Sequence, residues 1–588
     1  MGFSRARVKL RYEFDGDYTE TLEMPWSGTD WVHDAFSCRI ELGEYVGLVW
    51  YSFELTGFLG RRTELGEYQL TIYDGREQVP DWFGKGLSYQ ILPDRFARTR
   101  IPDPTGLVGG RTVHQNWDDA PVVGAVGHTR EGKDICNRDF FGGDLKGVEE
   151  KLPYLASLGV ETIYFCPIFE ASENHRYGTA DYRRIDPMLG TNEDFMRLCE
   201  KAHSLGIRIL LDGVFNHTGW VSRYFNGDGF YRDTVGASQS QDSPYRSWFQ
   251  FRRWPDDYES WWGIYSLPSV EEHDPGYQHF IYADHDSVVR SWLRMGADGW
   301  RLDVADELPD DFVHGIHEAA RREKPDAVVI GEVWEDGTTK ISYGVRRRHL
   351  LGGHLDGLMN YPFRTALIDY LLGGDAAAFR DTMETLRENY PPFAFYDAMN
   401  SLGTHDTLRI LTYLGTGSQH YDWSKERRGH YRMTEQERRC GTALVKLGVA
   451  VMIAFPGSPT IYYGDEVGME GFEDPFNRYT YPWGREDQEL LAWFRRMGQA
   501  RKTSVPLREG DLRWGTCTGG LLSFVRSVPG QENGLAVNRG DRPALAALPW
   551  HAPTAVDVDT GRRYLACDGV LRVKVPPMGI LRMRSAAM

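Results

Sequence analysis

Long apolar runs are missing from this chain. No stretch of its 588 residues approaches the roughly 18 consecutive apolar side chains that a membrane-spanning helix needs, so no membrane partner is expected. Paired cysteines are missing too. The seven cysteines stand at 38, 136, 166, 199, 440, 517 and 567 with no CxxC among them. An odd, scattered set argues against a disulfide framework and a zinc site, and reduced thiols in a cytosolic protein are the expectation. Positive charge is in deficit: 67 Lys and Arg face 84 Asp and Glu, a net charge of −17. That balance speaks against a nucleic-acid or anionic-membrane partner and suits a neutral polar ligand. The opening MGFSRARVKLRYEF alternates like a strand and has no apolar signal-peptide core, so a cytoplasmic location is expected. Internal repeats and low-complexity tracts are also absent.

The length exceeds one ordinary core, so two to four domains are expected, one of them large. Aromatic residues make up 13% of the chain, with 18 Trp and 31 Tyr. Sugars present apolar C–H faces that stack on such rings, so the excess favours a carbohydrate site over a merely Trp-rich core.

Residues 299–307, GWRLDVADE, organise the rest. Trp300, Leu302 and Val304 alternate with Arg301 and Asp303, the pattern of a strand whose two faces see different surroundings. Arg301 and Asp303 fall on one side of that strand, one pleat apart. A cation so close holds a carboxylate ionised, as a nucleophile requires, although a structural ion pair reads the same way. Three further stretches, IRILLDGVFNH (207–217), VVIGEVW (328–334) and NSLGTHDTLR (400–409), deliver Asp212, Glu332 and Asp406. Helical-looking segments separate all four, the layout of a (β/α)₈ TIM barrel with its chemistry at the carboxyl ends of the strands.

The motifs DGVFNH, GWRLDVADE, GEVW and GTHD resemble the four signature regions of the α-amylase family, glycoside hydrolase family thirteen, and within it the neopullulanase, cyclomaltodextrinase and amylopullulanase kind. The resemblance implies a fold: an N-terminal β-sandwich over 1–82, a barrel over 83–504, and a C-terminal antiparallel β domain over 505–588. A third-loop insertion is expected at about 218–285. The barrel strands are expected in LSYQILPDRF (87–96), TIYFCPIFE (162–170), the four motifs, LDGLMNY (355–361) and SPTIYYGDE (458–466). Residues 97–139 read as a long loop on the active face. In residues 140–160, Val148, Leu152, Leu155 and Leu158 fall near helical spacing.

The same resemblance assigns roles. Asp303 is the nucleophile of a retaining reaction, Glu332 the general acid and then base, and Asp406 the third carboxylate, binding sugar hydroxyls. His217 and His405 hydrogen-bond the sugar, Tyr177 stacks beneath it, Arg301 orients Asp303, and Asp212 braces Arg301. Asp474 and Arg478 form a substrate-binding pair, while Trp334 and Glu307 touch the acceptor side. Asp306 departs from the usual Asn of this kind. No cofactor is implied and calcium is not favoured: ARTRIPDP (97–104) keeps only Asp103, and arginines cannot ligate a cation. Asp144 and Asn216 would each add too little alone. The implied activity is hydrolysis of α-1,4 bonds, with α-1,6 bonds open, in maltooligosaccharides, pullulan or cyclodextrins. A 4-α-glucanotransferase and a non-catalytic glucan-binding barrel are the alternatives. A homodimer is the expected assembly of relatives, here weakened by a short N-terminal region.

Overall fold

The computed structural model describes residues 3–14, 18–30, 32–76, 79–124, 127–128, 134–417 and 419–586. Parts of the expected loop over 97–139 and the outermost ends of the first and last domain ranges lie outside the described residues. At the centre is an eight-stranded parallel sheet. In chain order its strands are β1 (Leu87–Ile91), β2 (Val160–Phe165), β3 (Arg208–Gly213), β4 (Gly299–Leu302), β5 (Val328–Gly331), β6 (Gly357–Leu358), β7 (Met399–Ser401) and β8 (Ser458–Tyr462). Hydrogen-bonded neighbours run β6-β5-β4-β3-β2-β1-β8-β7. A parallel bridge between Met359 and Met399 joins the ends and closes the barrel.

Parallel strands buried on both faces read as near-continuous apolar runs. Accordingly β1, β5 and β8 are buried at every position. Two apolar layers result. Inside the barrel Tyr164, Leu210, Val328, Ile330, Met359 and Met399 pack together over Phe83, which plugs the amino-terminal end. Outside, Trp300, Leu302, Val148, Leu152, Leu155 and Leu158 join the larger core beneath the helices. The alternation in GWRLD thus separates helix layer from barrel interior, and its polar face meets other side chains rather than water.

Two expected strands end early, each at a proline. Pro93 opens a short helix, Pro93–Phe96, directly after β1, a position where its missing N–H costs nothing. Pro167 cannot donate to a central ladder, so β2 stops at Phe165 and Phe169–Ala171 pairs instead with Thr179–Ile185. Every crossover between β1 and β8 carries an α-helix except the one between β5 and β6. There a two-stranded hairpin, Ile341–Ser342 with Val345–Arg346, takes the helix's place.

At the amino-terminal side an antiparallel four-stranded sheet has the order Tyr18–Met24, Phe3–Glu13, Gly47–Gly57, Arg62–Ile72. It grips the β5–β6 crossover. Gln69 Nε2 donates to Thr338 Oγ1 at 2.7 Å, and Glu13 pairs with Arg346 at 2.5 Å. At the carboxyl end a six-stranded antiparallel sheet and a two-stranded one enclose a separate core around Trp550. Among the described residues no helix is long and apolar enough to cross a membrane.

Candidate active site

The carboxyl ends of three adjacent strands converge on one cation. Asp212 comes from β3, Asp303 follows β4, and Glu332 follows β5. Backbone bonds set their heights: Asp303 N donates to Gly213 O at 3.1 Å and Glu332 N to Leu302 O at 3.0 Å. Arg301 lies fully buried beneath them. Its Nη1 donates to Asp212 Oδ1 and to Asp303 Oδ1, each at 2.7 Å, and its Nη2 stands 2.7 Å from Glu332 Oε2. Sequence reasoning paired Arg301 with Asp303 and with the bracing Asp212; the contact with Glu332 is additional.

This changes the electrostatics. The expectation of an ionised Asp303 counts one cation against one carboxylate, whereas here one guanidinium faces three. Burial pushes the Asp303 carboxyl well above its usual range; Arg301 opposes the shift, and Glu332 and Asp212 add to it. Asp212 is raised too, again chiefly by burial against the pull of Arg301. A site in this state retains protons that free carboxylates would release.

Glu332 is held by two further donors. Val304 N reaches its Oε2 at 3.0 Å and Trp334 Nε1 its Oε1 at 3.1 Å. The first bond requires a sharp reversal after Asp303, and Val304 makes it at φ 40°, a conformation foreign to β-branched residues. Trp334, half exposed, stacks on Tyr361 with ring centroids 3.9 Å apart.

On the opposite side the loop after β7 presents His405 and Asp406. His405 Nδ1 meets Gln90 Nε2 of β1 at 2.8 Å, and its ring lies parallel to Tyr177 at 5.2 Å. Tyr177 also donates to Asp212 Oδ2 at 2.9 Å, so it ties two strands together besides offering its ring. Asp406 has His405 Nε2 at 3.1 Å and Arg478 Nη2 at 3.5 Å, and Arg478 Nη1 is 3.0 Å from Asp474. Burial raises the Asp406 carboxyl. It lowers the imidazoles of His217 and His175 to about 3 and drops that of His405 well below the ordinary value. All three rings are neutral at pH 7 and suited to hydroxyl groups rather than anions.

A cavity of about 780 Å³ is lined by Asp303, Glu332, Asp406, Tyr177, His217, His405, Trp334, Glu307, Asp474 and Arg478. Arg301 and Asp212, both fully buried, are not part of the lining; they hold Asp303 and Tyr177 within it. Sequence reasoning missed several other lining residues. His175 sits two positions before Tyr177 in HRYGTADY (175–182), and Trp261 and Trp262 open WWGIY (261–265), yet none of the three was singled out. Glu173, buried with its Oε2 unpartnered among the described residues, and Lys340 also line the cavity. Lys340 carries no local signal at all; it reaches in from the β5–β6 crossover, 2.9 Å from Asp306 Oδ2 and 2.6 Å from Glu335.

Two of the residues considered for calcium, Asp144 and Asp103, have other partners. Asp144 caps the helix Leu145–Leu158 by accepting from Gly147 N at 2.6 Å and also binds Thr99. Asp103 accepts from Thr105 N. Among the described residues no group of three or more His, Cys, Asp or Glu side chains is placed to hold a metal ion.

Comparison with known proteins decides the family. The model described as "Alpha amylase, catalytic domain" matches residues 90–504, which contain every side chain named in the cavity. The chain belongs to the α-amylase family. It is 32% identical to Neopullulanase 2 of Thermoactinomyces vulgaris, across 89% of this chain and 82% of that protein. It is 35% identical to an amylopullulanase of Thermoanaerobacter thermohydrosulfuricus, across 89% of this chain but 38% of that protein. The chain therefore spans less than half the length of the amylopullulanases it matches. Among solved structures, a cyclomaltodextrinase superposes with a TM-score of 0.71 at 26% identity, covering 99% of this chain and 94% of the other. In this α-amylase-family barrel the β5–β6 crossover carries a hairpin where the ideal (β/α)₈ layout has a helix.

Proposed function

We propose that this chain is a retaining α-glucan hydrolase that cleaves α-1,4 bonds, and α-1,6 bonds as well, in maltooligosaccharides, pullulan or cyclodextrins. One observation carries the reading: Asp303 and Glu332 contact neighbouring nitrogens of a single guanidinium, each at 2.7 Å. A shared cation of that size favours the short carboxyl separation of retaining enzymes, about 5–5.5 Å, over the roughly 6.5–9.5 Å of inverting ones.

In this reading the retained proton sits on Glu332, and Asp303, ionised against Arg301, attacks the anomeric carbon while Glu332 protonates the departing glycosidic oxygen. Glu332, now ionised, takes a proton from water, which displaces Asp303 and restores both groups. Arg301 supports the step by stabilising whichever carboxylate is charged at each stage. Asp406 and the neutral imidazoles of His217 and His405 grip the hydroxyls of the distorted ring, and Tyr177 supplies an apolar face. Trp334 and Glu307 line the acceptor side. No cofactor is assigned to any step.

The seven thiols are free of disulfides, which supports a reducing compartment and hence a cytoplasmic enzyme acting on imported short glucans. A homodimer belongs to the same reading: Leu65, Tyr68 and Leu70 stand exposed on the outer strand of the N-terminal sheet. A solution mass of 67.2 kDa would refute it.

A pullulan digest with chromatographic separation tests the activity. Panose means cleavage at α-1,4 bonds and maltotriose cleavage at α-1,6 bonds. Intact pullulan and intact maltohexaose together sink the proposal. Products longer than a maltohexaose substrate would instead support a glucanotransferase, whose acceptor side excludes water.

A further inference from the structure

A second cavity, about 690 Å³, adjoins the first on the acceptor side. The two share Trp261, Trp262 and Glu307 as lining residues, so these three side chains form a partition between them. The partition is rigid. Glu307 accepts from Trp261 Nε1 at 3.1 Å, from Trp262 Nε1 at 2.9 Å and from Tyr343 OH at 3.0 Å. The rings form a ladder: His217 stacks on Trp261 at 5.2 Å, and Trp261 on Trp262 at 5.2 Å. The outermost rung, Trp262, is 77% exposed and turned outward at φ 50°, an aromatic face with no protein covering it.

The far wall of the second cavity is the hairpin that replaces the missing crossover helix. Tyr343 and Val345 come from it. Apart from Val270 and Pro309, the remaining lining is polar and hydrogen-bonding, including Glu272, Asp310 and Asp311, and Asn216, 4% exposed, whose Oδ1 has no partner among the described residues. Burial raises the Glu272 carboxyl to about 8, which makes it a donor as well as an acceptor near neutral pH. An apolar ridge flanked on both sides by hydroxyl-binding groups suits two sugar arms diverging from one point.

Resting on the hydrolase reading, we infer that the acceptor side is a fork: an α-1,6-branched glucan lays one arm in the cleavage cavity and the other in the second cavity, astride Trp262. A linear chain uses only the first. The second cavity therefore confers preference for branched substrates without taking part in bond breaking.

The test compares maltohexaose with a hexasaccharide of the same glucose count carrying a maltosyl arm through an α-1,6 bond. Val345→Trp fills the second cavity from a half-exposed position, so folding is not at stake. The expected result is a loss of about tenfold in kcat/KM for the branched substrate with the linear one changed less than about twofold. Trp262→Ala, at a residue that lines both cavities, is expected to raise KM for the branched substrate by about tenfold and for the linear one by clearly less, because a stacking face is lost. Equal losses on both substrates, no loss on either, or a wild-type enzyme that degrades maltohexaose but not the branched sugar overturns the fork. A wild-type protein inert towards both refutes the hydrolase reading itself.

Discussion

Asp303 and Glu332 share one guanidinium, with Arg301 Nη1 2.7 Å from the first and Nη2 2.7 Å from the second. Removing one charge while keeping the shape isolates its chemical role. Asp303→Asn is expected to lower kcat on maltohexaose by roughly 10⁴ or more, with Kd changed only a few-fold, because groups acting as a unit fail together. Stopped assays and calorimetric titration measure the two quantities. An unchanged rate would remove Asp303 from the nucleophile's role.

Val304 carries strain that serves the site. Its φ of 40° costs on the order of 1–3 kcal/mol for a non-glycine residue, and in return its N–H reaches Glu332. Val304→Gly relieves the strain but frees the turn. The expected outcome is a Tm equal to or above wild type together with a clear drop in kcat. A variant with lower Tm and full activity would contradict this account.

Acid sensitivity follows from the site's imidazoles. Burial holds His217 at about 3, against 6.5 for an unburied histidine, so the folded protein keeps this ring neutral where the unfolded chain takes up a proton. The resulting stability is complete above about pH 6.5 and is lost as pH falls towards 3, by up to about 1.4 kcal/mol per unit. His217→Gln should therefore lose less Tm than wild type between pH 6.5 and 4.5. The raised carboxyls Asp303, Asp212 and Asp406 work in the opposite direction, stabilising the acid side, but they are common to both proteins and cancel in the comparison. Parallel Tm curves would show that His217 titrates normally.

Asp306, an outlier by family pattern, has a partner. Lys340 Nζ lies 2.9 Å away, both groups being largely buried. Asp306→Asn is expected to cost about 0.5–1 kcal/mol in a denaturant titration and to leave kcat on linear glucans unaltered. A large fall in kcat would move Asp306 into the catalytic set.

The barrel and the cluster of side chains at its carboxyl end were legible because this fold sets such side chains right after particular strands. Asp212 ends an apolar run and Asp303 and Glu332 follow one, while Asp406 stands in the more polar NSLGTHD; Asp303, Glu332 and Asp406 line one cavity, with Asp212 buried behind it. What escaped was whatever depends on register and on distant segments. Arg301 meets Glu332 because β4 and β5 pair Arg301 with Ile330, and no local pattern encodes that alignment. Lys340 arrives from an irregular crossover with no periodicity. The ends of β1 and β2 were set too far along, past Pro93 and Pro167, where the ladder loses a backbone donor; after Pro167 the apolar Ile168 and Phe169 hid the break.

The N-terminal sheet braces the β5–β6 crossover, and one of its contacts bears directly on the hairpin there. Glu13 pairs with Arg346, whose guanidinium also lies 5.9 Å from the centre of the Trp50 ring. Arg346 belongs to the hairpin that walls the second cavity. The portion of the chain that looks most detachable is thus a bracket for its most selective corner. Exchanging residues 1–82 for the matching region of a relative should alter which glucans are preferred while every carboxylate stays in place, an outcome readable as a changed ratio of branched to linear turnover. In such a barrel, diversification of appetite begins far from the scissile bond.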